Sequence, residues 1–185
     1  VLDSLEELGA KVNVQRTYLK ALGTIKESNL KESQKVERLL ELCVNAPFLK
    51  RKVFEYLQEN GIKIEASFFE TLSYVDMIDL LWYVDPMVYD ILTCKDAFVQ
   101  QIAMARGLRP YEAFESEAPF AIDVLGKLHS IGYEKASLGF EYVCSECKQV
   151  FPIHFYRCPH CQSINTVTIH TKLIKADDEE NISFL

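Results

Sequence analysis

Apolar residues recur at spacings of three and four through most of the first 138 positions. Val36, Leu39, Leu40 and Cys43 fall on one face of a stretch at 31–44, and Leu49, Val53, Phe54 and Leu57 form the next stripe. That spacing predicts amphipathic helices. Further helices are expected at 13–26 (with Leu19 and Leu22), 77–84, 95–106 and 119–131. Ser4 with Glu7 and Ser67 with Glu70 have the capping-box spacing, and Pro47 and Asp85-Pro86 are placed to open helices. Gly61, Gly107 and Gly132 stand where helices should stop. From Leu138 the period changes to two. Residues 139–143 predict one strand, 149–156 (Val150, Phe151, Ile153, Phe155) a strand or hairpin, and 166–174 a third strand. The run Asp177, Asp178, Glu179, Glu180 predicts a solvated acidic tail.

The expected fold is mainly α. A helical-repeat (tetratricopeptide-like) array or an irregular helical bundle spans residues 1–138, and a small β-rich module of the rubredoxin-like or zinc-ribbon type spans 139–185. One window places Leu19, Leu22, Gly23, Leu39, Leu42 and Pro47 in slots of a 34-residue tetratricopeptide repeat. Lys26 and Lys35 occupy slots that want Tyr and Ala, and Pro86 follows Pro47 by 39 residues, so the period is not strict.

Composition narrows the function classes. The 185 residues carry a net charge of −7, which argues against non-specific binding to phosphate backbones. No apolar run approaches the roughly 18 residues of a membrane span. A chain that starts at Val1 instead of Met is expected to continue a longer protein, with an anchor or domain ahead of it.

The six cysteines are unevenly used. Cys43 and Cys94 sit singly in helix-like stretches and read as core. The other four form Cys144-Ser-Glu-Cys147 and Cys158-Pro-His-Cys161, with ten residues between the pairs. Each tight turn aims two sulfurs at one point, and two turns make a tetrahedral cage. Four sulfur ligands leave no position for water, so the cage suits a structural or electron-transferring ion and not hydrolysis. Zinc is the expected metal and iron the alternative. Two redox pairs or disulfides are the competing readings, but a thioredoxin-like motif would precede a helix in a βαβ unit. A module this small needs the metal for much of its folding free energy, on the order of 10 kcal/mol. Lys148 and Gln162 stand where such turns often carry glycine, which predicts a somewhat different turn. His129, His154, His160 and His170 read as surface or packing residues.

Phe68, Phe69, Tyr74, Trp82, Tyr83 and Tyr89 form a dense aromatic stretch, read first as helix-pair core and second as a peptide-binding groove. Asp76, Asp79, Asp85 and Asp90 read as caps and solvated positions. The chain has no P-loop, no Gly-x-Ser-x-Gly and no His-Glu-x-x-His, so no enzymatic constellation is expected.

Tyr142-Val-Cys144-Ser-Glu-Cys147, the ten-residue gap, Tyr156 and Cys158-Pro-His-Cys161 resemble the C-terminal rubredoxin-like domain of the lipopolysaccharide assembly protein B (LapB) family. The resemblance covers residues 140–168; the helical part is similar in class only. It implies cytoplasmic tetratricopeptide repeats behind a membrane helix, and a non-catalytic adaptor at the inner face of the inner membrane. The implied partners are a membrane protease and a lipid-A biosynthetic enzyme. Lys148, the irregular repeats and the extension 168–185 depart from the family pattern. Two other functions compete: a rubredoxin-like iron electron carrier or redox- and metal-sensing module, and a nucleic-acid-binding zinc ribbon. A net charge of −2 over residues 141–185 disfavours the last.

Overall fold

The computed structural model describes residues 3–4, 12–63, 74–86, 91–113 and 119–176. The chain divides into two compact units between Lys63 and Ile64.

In the first unit, α1 (Asn13–Lys26), α2 (Glu32–Asn45) and α3 (Lys50–Glu59) each pack on the next in the chain. Leu39 and Cys43 of α2 meet the stripe Leu49, Val53, Phe54 and Leu57, all nearly or fully buried. Leu40, expected on that face, is 37% exposed, because a helical stripe this narrow seats Leu39 and Cys43 and turns position 40 outward. The Lys31 amide donates to Gln34 Oε1 at 3.0 Å and so begins α2. Pro47 opens a 3₁₀ turn, Pro47–Leu49, that runs into α3. Gly61, at φ 63°, ends α3: its neighbour's amide, Ile62 N, donates back to Leu57 O at 2.9 Å. An added Cβ on Gly23 would meet nothing within 4 Å, so close helix approach does not select glycine in that repeat slot.

In the second unit, a 3₁₀ turn (Tyr74–Met77) leads into α4 (Ile78–Tyr83), followed by α5 (Ala97–Ala105), α6 (Phe120–Ser130) and the strands β1 (Ala136–Cys144), β2 (Val150–Phe151) and β3 (Val167–Lys175), which form an antiparallel sheet of order β2-β1-β3. Asp96 caps α5, accepting from the amides of Phe98 and Val99 at 2.8 and 3.1 Å. Arg106, just past α5, donates to Leu81 O and Val84 O at 3.3 and 2.8 Å and so satisfies carbonyls at the end of α4. α4 and α6 both pack on α5. α6 also packs on β1 (Ala136–Cys144) and β3 (Val167–Lys175), which pair along all nine residues, from Ala136↔Lys175 to Cys144↔Val167. The change in sequence texture at 138/139 therefore falls inside this unit. Within its core, Leu81, Ile91, Val99, Ile102, Leu125 and Leu138 are fully buried.

Some expectations change. The strand expected over 149–156 is only β2, Val150–Phe151, because Pro152 has no N–H to continue the ladder. Cys94 is buried as expected, but in the connection before α5 instead of in a helix. Asp79 is neither a cap nor solvated: it is 4% exposed and accepts a hydrogen bond from Tyr142 Oη at 2.7 Å. Trp82 is buried and Tyr83 half-exposed, while Phe68, Phe69 and Tyr89 lie outside the described residues. So do the Glu7 and Ser67–Glu70 cap positions, residues 87–90 (Asp90 among them) and the acidic tail.

Candidate metal centre

β1 carries Cys144 at its last position, and the chain then turns sharply through Cys147 into β2. The Cys144 amide donates to Gln149 O at 3.0 Å, and the Lys148 amide donates to Cys144 O at 2.9 Å. The second turn repeats the first: the Cys158 amide donates to Ser163 O at 2.8 Å, and the Gln162 amide to Cys158 O at 3.0 Å. An antiparallel bridge between Arg157 and Ile164 closes it.

The missing glycines do not alter the turns. Lys148 and Gln162 adopt φ of 60° and 65°, the left-handed conformation that glycine usually supplies. Both side chains fold back in the same way. Lys148 Nζ donates to Ser145 O at 2.6 Å, and Gln162 Nε2 donates to Pro159 O at 3.0 Å. The side-chain bond in each turn offsets part of the left-handed strain, a compensation that residue type alone did not signal.

Together the two turns place the Sγ atoms of Cys144, Cys147, Cys158 and Cys161 within 4.8 Å of one another. Cys144–Cys161 is 3.6 Å and Cys147–Cys158 is 3.7 Å. These separations are far longer than a disulfide of about 2.05 Å. They match the about 3.8 Å edge of a tetrahedron with metal–sulfur bonds of about 2.3 Å. The donor set and its spacing thus fit a metal ion. Cys144 and Cys158 are buried, whereas Cys147 and Cys161 are half-exposed.

Hydrogen bonds prepare the sulfurs for ionisation. Burial opposes the Cys144 thiolate, but amides of Cys147 and Glu146 and the Thr166 hydroxyl outweigh it and lower the pKa to about 6. Thr166 Oγ1 lies 3.3 Å from that sulfur. Ser163, through its hydroxyl and then its amide, lowers Cys161. At Cys147 the Gln149 amide favours the thiolate, yet burial and the three neighbouring sulfurs push it up to about 12. Four negative sulfurs at this spacing need a cation to coexist. Thr166 and Ser163 were not foreseen, although each stands beside a turn or strand end where a hydroxyl can reach sulfur.

The histidines sit where packing and solvent put them. His160 and His170 are exposed. His154 packs edge-on to the rings of Tyr142 and Tyr156 at 5.6 and 4.9 Å. His129 is a half-buried residue of α6.

Helices followed by a small antiparallel sheet with a four-cysteine, metal-binding cluster define the class of this chain. No family model matches it, and neither curated proteins nor solved structures show a significant similarity to it. Among the described residues, no helix is long and apolar enough to cross a membrane.

Proposed function

We propose that the chain is a non-catalytic protein–protein adaptor or scaffold whose Cys144, Cys147, Cys158 and Cys161 hold a structural zinc ion. The observation that carries this reading is the convergence of four sulfurs from two matching turns. Sulfur fills all four positions of a tetrahedral ion and leaves none for water or substrate. The helical residues would then present the binding surface. Leu40 and Val44, one turn apart on α2 and 37% and 80% exposed, are apolar surface of the kind a partner covers.

The resemblance of residues 140–168 to the LapB pattern extends the proposal. The partners would be a membrane protease and an envelope-biosynthesis enzyme, and the place the cytoplasmic face of the inner membrane. Affinity capture of the full-length protein from its own cells, with metal analysis of the same sample, tests this. Zinc at one per chain, with a membrane protease or a lipid-A enzyme recovered, supports it. Stoichiometric iron with redox enzymes recovered refutes it.

A second reading, a rubredoxin-like electron carrier, draws on the half-exposed Cys147 and Cys161, since electron transfer needs a cage close to the surface. It requires iron, a visible thiolate-to-iron absorption band and a reversible one-electron potential.

A further inference from the structure

α4 has six residues, well short of the roughly 12–15 that an isolated helix needs in water. Its order must come from what packs on it. It packs on α5, and Arg106 donates to its C-terminal carbonyls. Two side chains of β1 add a further support.

Alternate residues of a strand share a face, so Phe140, Tyr142 and Cys144 lie in one row along β1. Asp79 and Tyr83, four apart, lie in one row along α4. The two rows meet. Tyr142 Oη donates to Asp79 Oδ2 at 2.7 Å, and the Phe140 and Tyr83 rings stand edge-to-face with centroids 6.0 Å apart. The next residue in the β1 row, Cys144, is the first sulfur of the metal centre. Asp79 and Tyr142 are 4% and 9% exposed, so their bond is shielded from water, and a loss of register in β1 deprives a buried carboxyl group of a donor.

We propose that β1 and α4 form a conformational device that links metal occupancy at the four cysteines to the order of residues 78–83. With metal bound, Cys144 pins the end of β1, Tyr142 and Phe140 keep their places, and α4 is held. When metal leaves, the turns open, β1 loses register at Tyr142, and α4 unwinds. Tyr83, 44% exposed, then changes from a fixed surface residue to a labile one, and Trp82, 6% exposed, loses its buried place. The inference rests on the metal-centre reading.

Hydrogen exchange with mass spectrometry on the full chain tests it, with zinc and then a strong zinc chelator as probes. Amides in 78–83 should lose protection at the same chelator concentration as those in 158–163. Tyr142→Phe keeps the ring and leaves the turns intact. It should hold zinc at the parent level while exchange in 78–83 rises about 5-fold to 150-fold, the range for removing one partner of a buried polar group. Turns that open on chelation without any change in 78–83 overturn the linkage while the metal centre stands. Parent-level protection of 78–83 in Tyr142→Phe also overturns it. Absence of bound metal, with no effect of chelator at 158–163, overturns the metal reading and this inference together.

Discussion

Replacing Cys158 and Cys43 by serine, one at a time, makes the same chemical change at two buried thiols, 0% and 4% exposed. The structure assigns them very different consequences. Cys43 packs inside α2 beside the α3 stripe, and its pKa is pushed up to about 11 by burial, so it is a neutral, apolar group. Serine there buries a hydroxyl, which costs about 1–3 kcal/mol. Cys158 opens the second turn, and its sulfur is 3.7 Å from that of Cys147. Serine there removes one of four ligands, and a structural thiolate site contributes on the order of 10 kcal/mol to folding. Whole domains are stable by only about 5–15 kcal/mol. Cys158→Ser should therefore lose the metal and unfold the ribbon, whereas Cys43→Ser should keep both at a lowered melting temperature. Metal content by inductively coupled plasma mass spectrometry and thermal melts followed by circular dichroism separate the two. One metal per chain in Cys158→Ser, with an unchanged melt, would refute the reasoning.

Other perturbations probe the frame around the site. Arg106→Ala removes charged donors from Leu81 O and Val84 O and should destabilise the second unit by about 1.5–3 kcal/mol in urea denaturation; a change under about 0.5 kcal/mol counts against the capping role. Gly126→Ala would gain about 1 kcal/mol of helix propensity in α6, but its Cβ would stand 2.7 Å from Tyr111 Cδ2, and overpacking costs about 1–3 kcal/mol. The net effect should be destabilising, and Tyr111→Ala in the same chain should reverse the sign; a more stable Gly126→Ala single variant contradicts the packing. Asp123 accepts from Lys127 Nζ at 2.5 Å and from Tyr111 Oη at 2.8 Å, and these bonds, Lys127 foremost, hold its carboxyl below the usual carboxylate range. A depressed folded value stabilises the fold at pH above the free aspartate value and loses that contribution as pH falls through the folded value. Carboxyl titration by NMR should show the low midpoint, and Lys127→Met should raise it.

Local signals in the sequence carried much of the architecture. The 13–26 helix has the boundaries its periodicity predicts, and Gly107 and Gly132, like Gly61, take positive φ at helix ends. The four cysteines converge because each pair is a local turn, β1–β2 pairing closes the first turn, and β1–β3 pairing sets Val167, shortly after the second turn, beside Cys144. What was illegible depends on distance in the chain or on side-chain reach. Asp79 and Tyr142 are 63 positions apart, so nothing near Asp79 marks it as a buried acceptor. The left-handed turns at Lys148 and Gln162 were expected to differ for lack of glycine, yet long side chains fold back on carbonyls three residues earlier. Alternation over 149–156 suggested a long strand, but Ile153 is 61% exposed while Phe155 packs against Phe151 at 5.0 Å. That packing holds a turn-rich connection where a strand was expected.

The length of β1 has a practical consequence for dissecting the protein. A cut at 138/139, where the residue pattern changes, would fall inside a nine-residue strand. The excised ribbon would lack the pairs Ala136↔Lys175, Ser137↔Ile174 and Leu138↔Leu173, and Leu138, fully buried in the intact chain, would become a frayed end on the other piece. β1 acts as a beam with one end built into the helices and the other into the sulfur cage. A piece meant to bind metal and stay monodisperse should begin upstream of Lys135, whose carbonyl accepts from the amide of Ala176 and closes the far end of the β1–β3 pair.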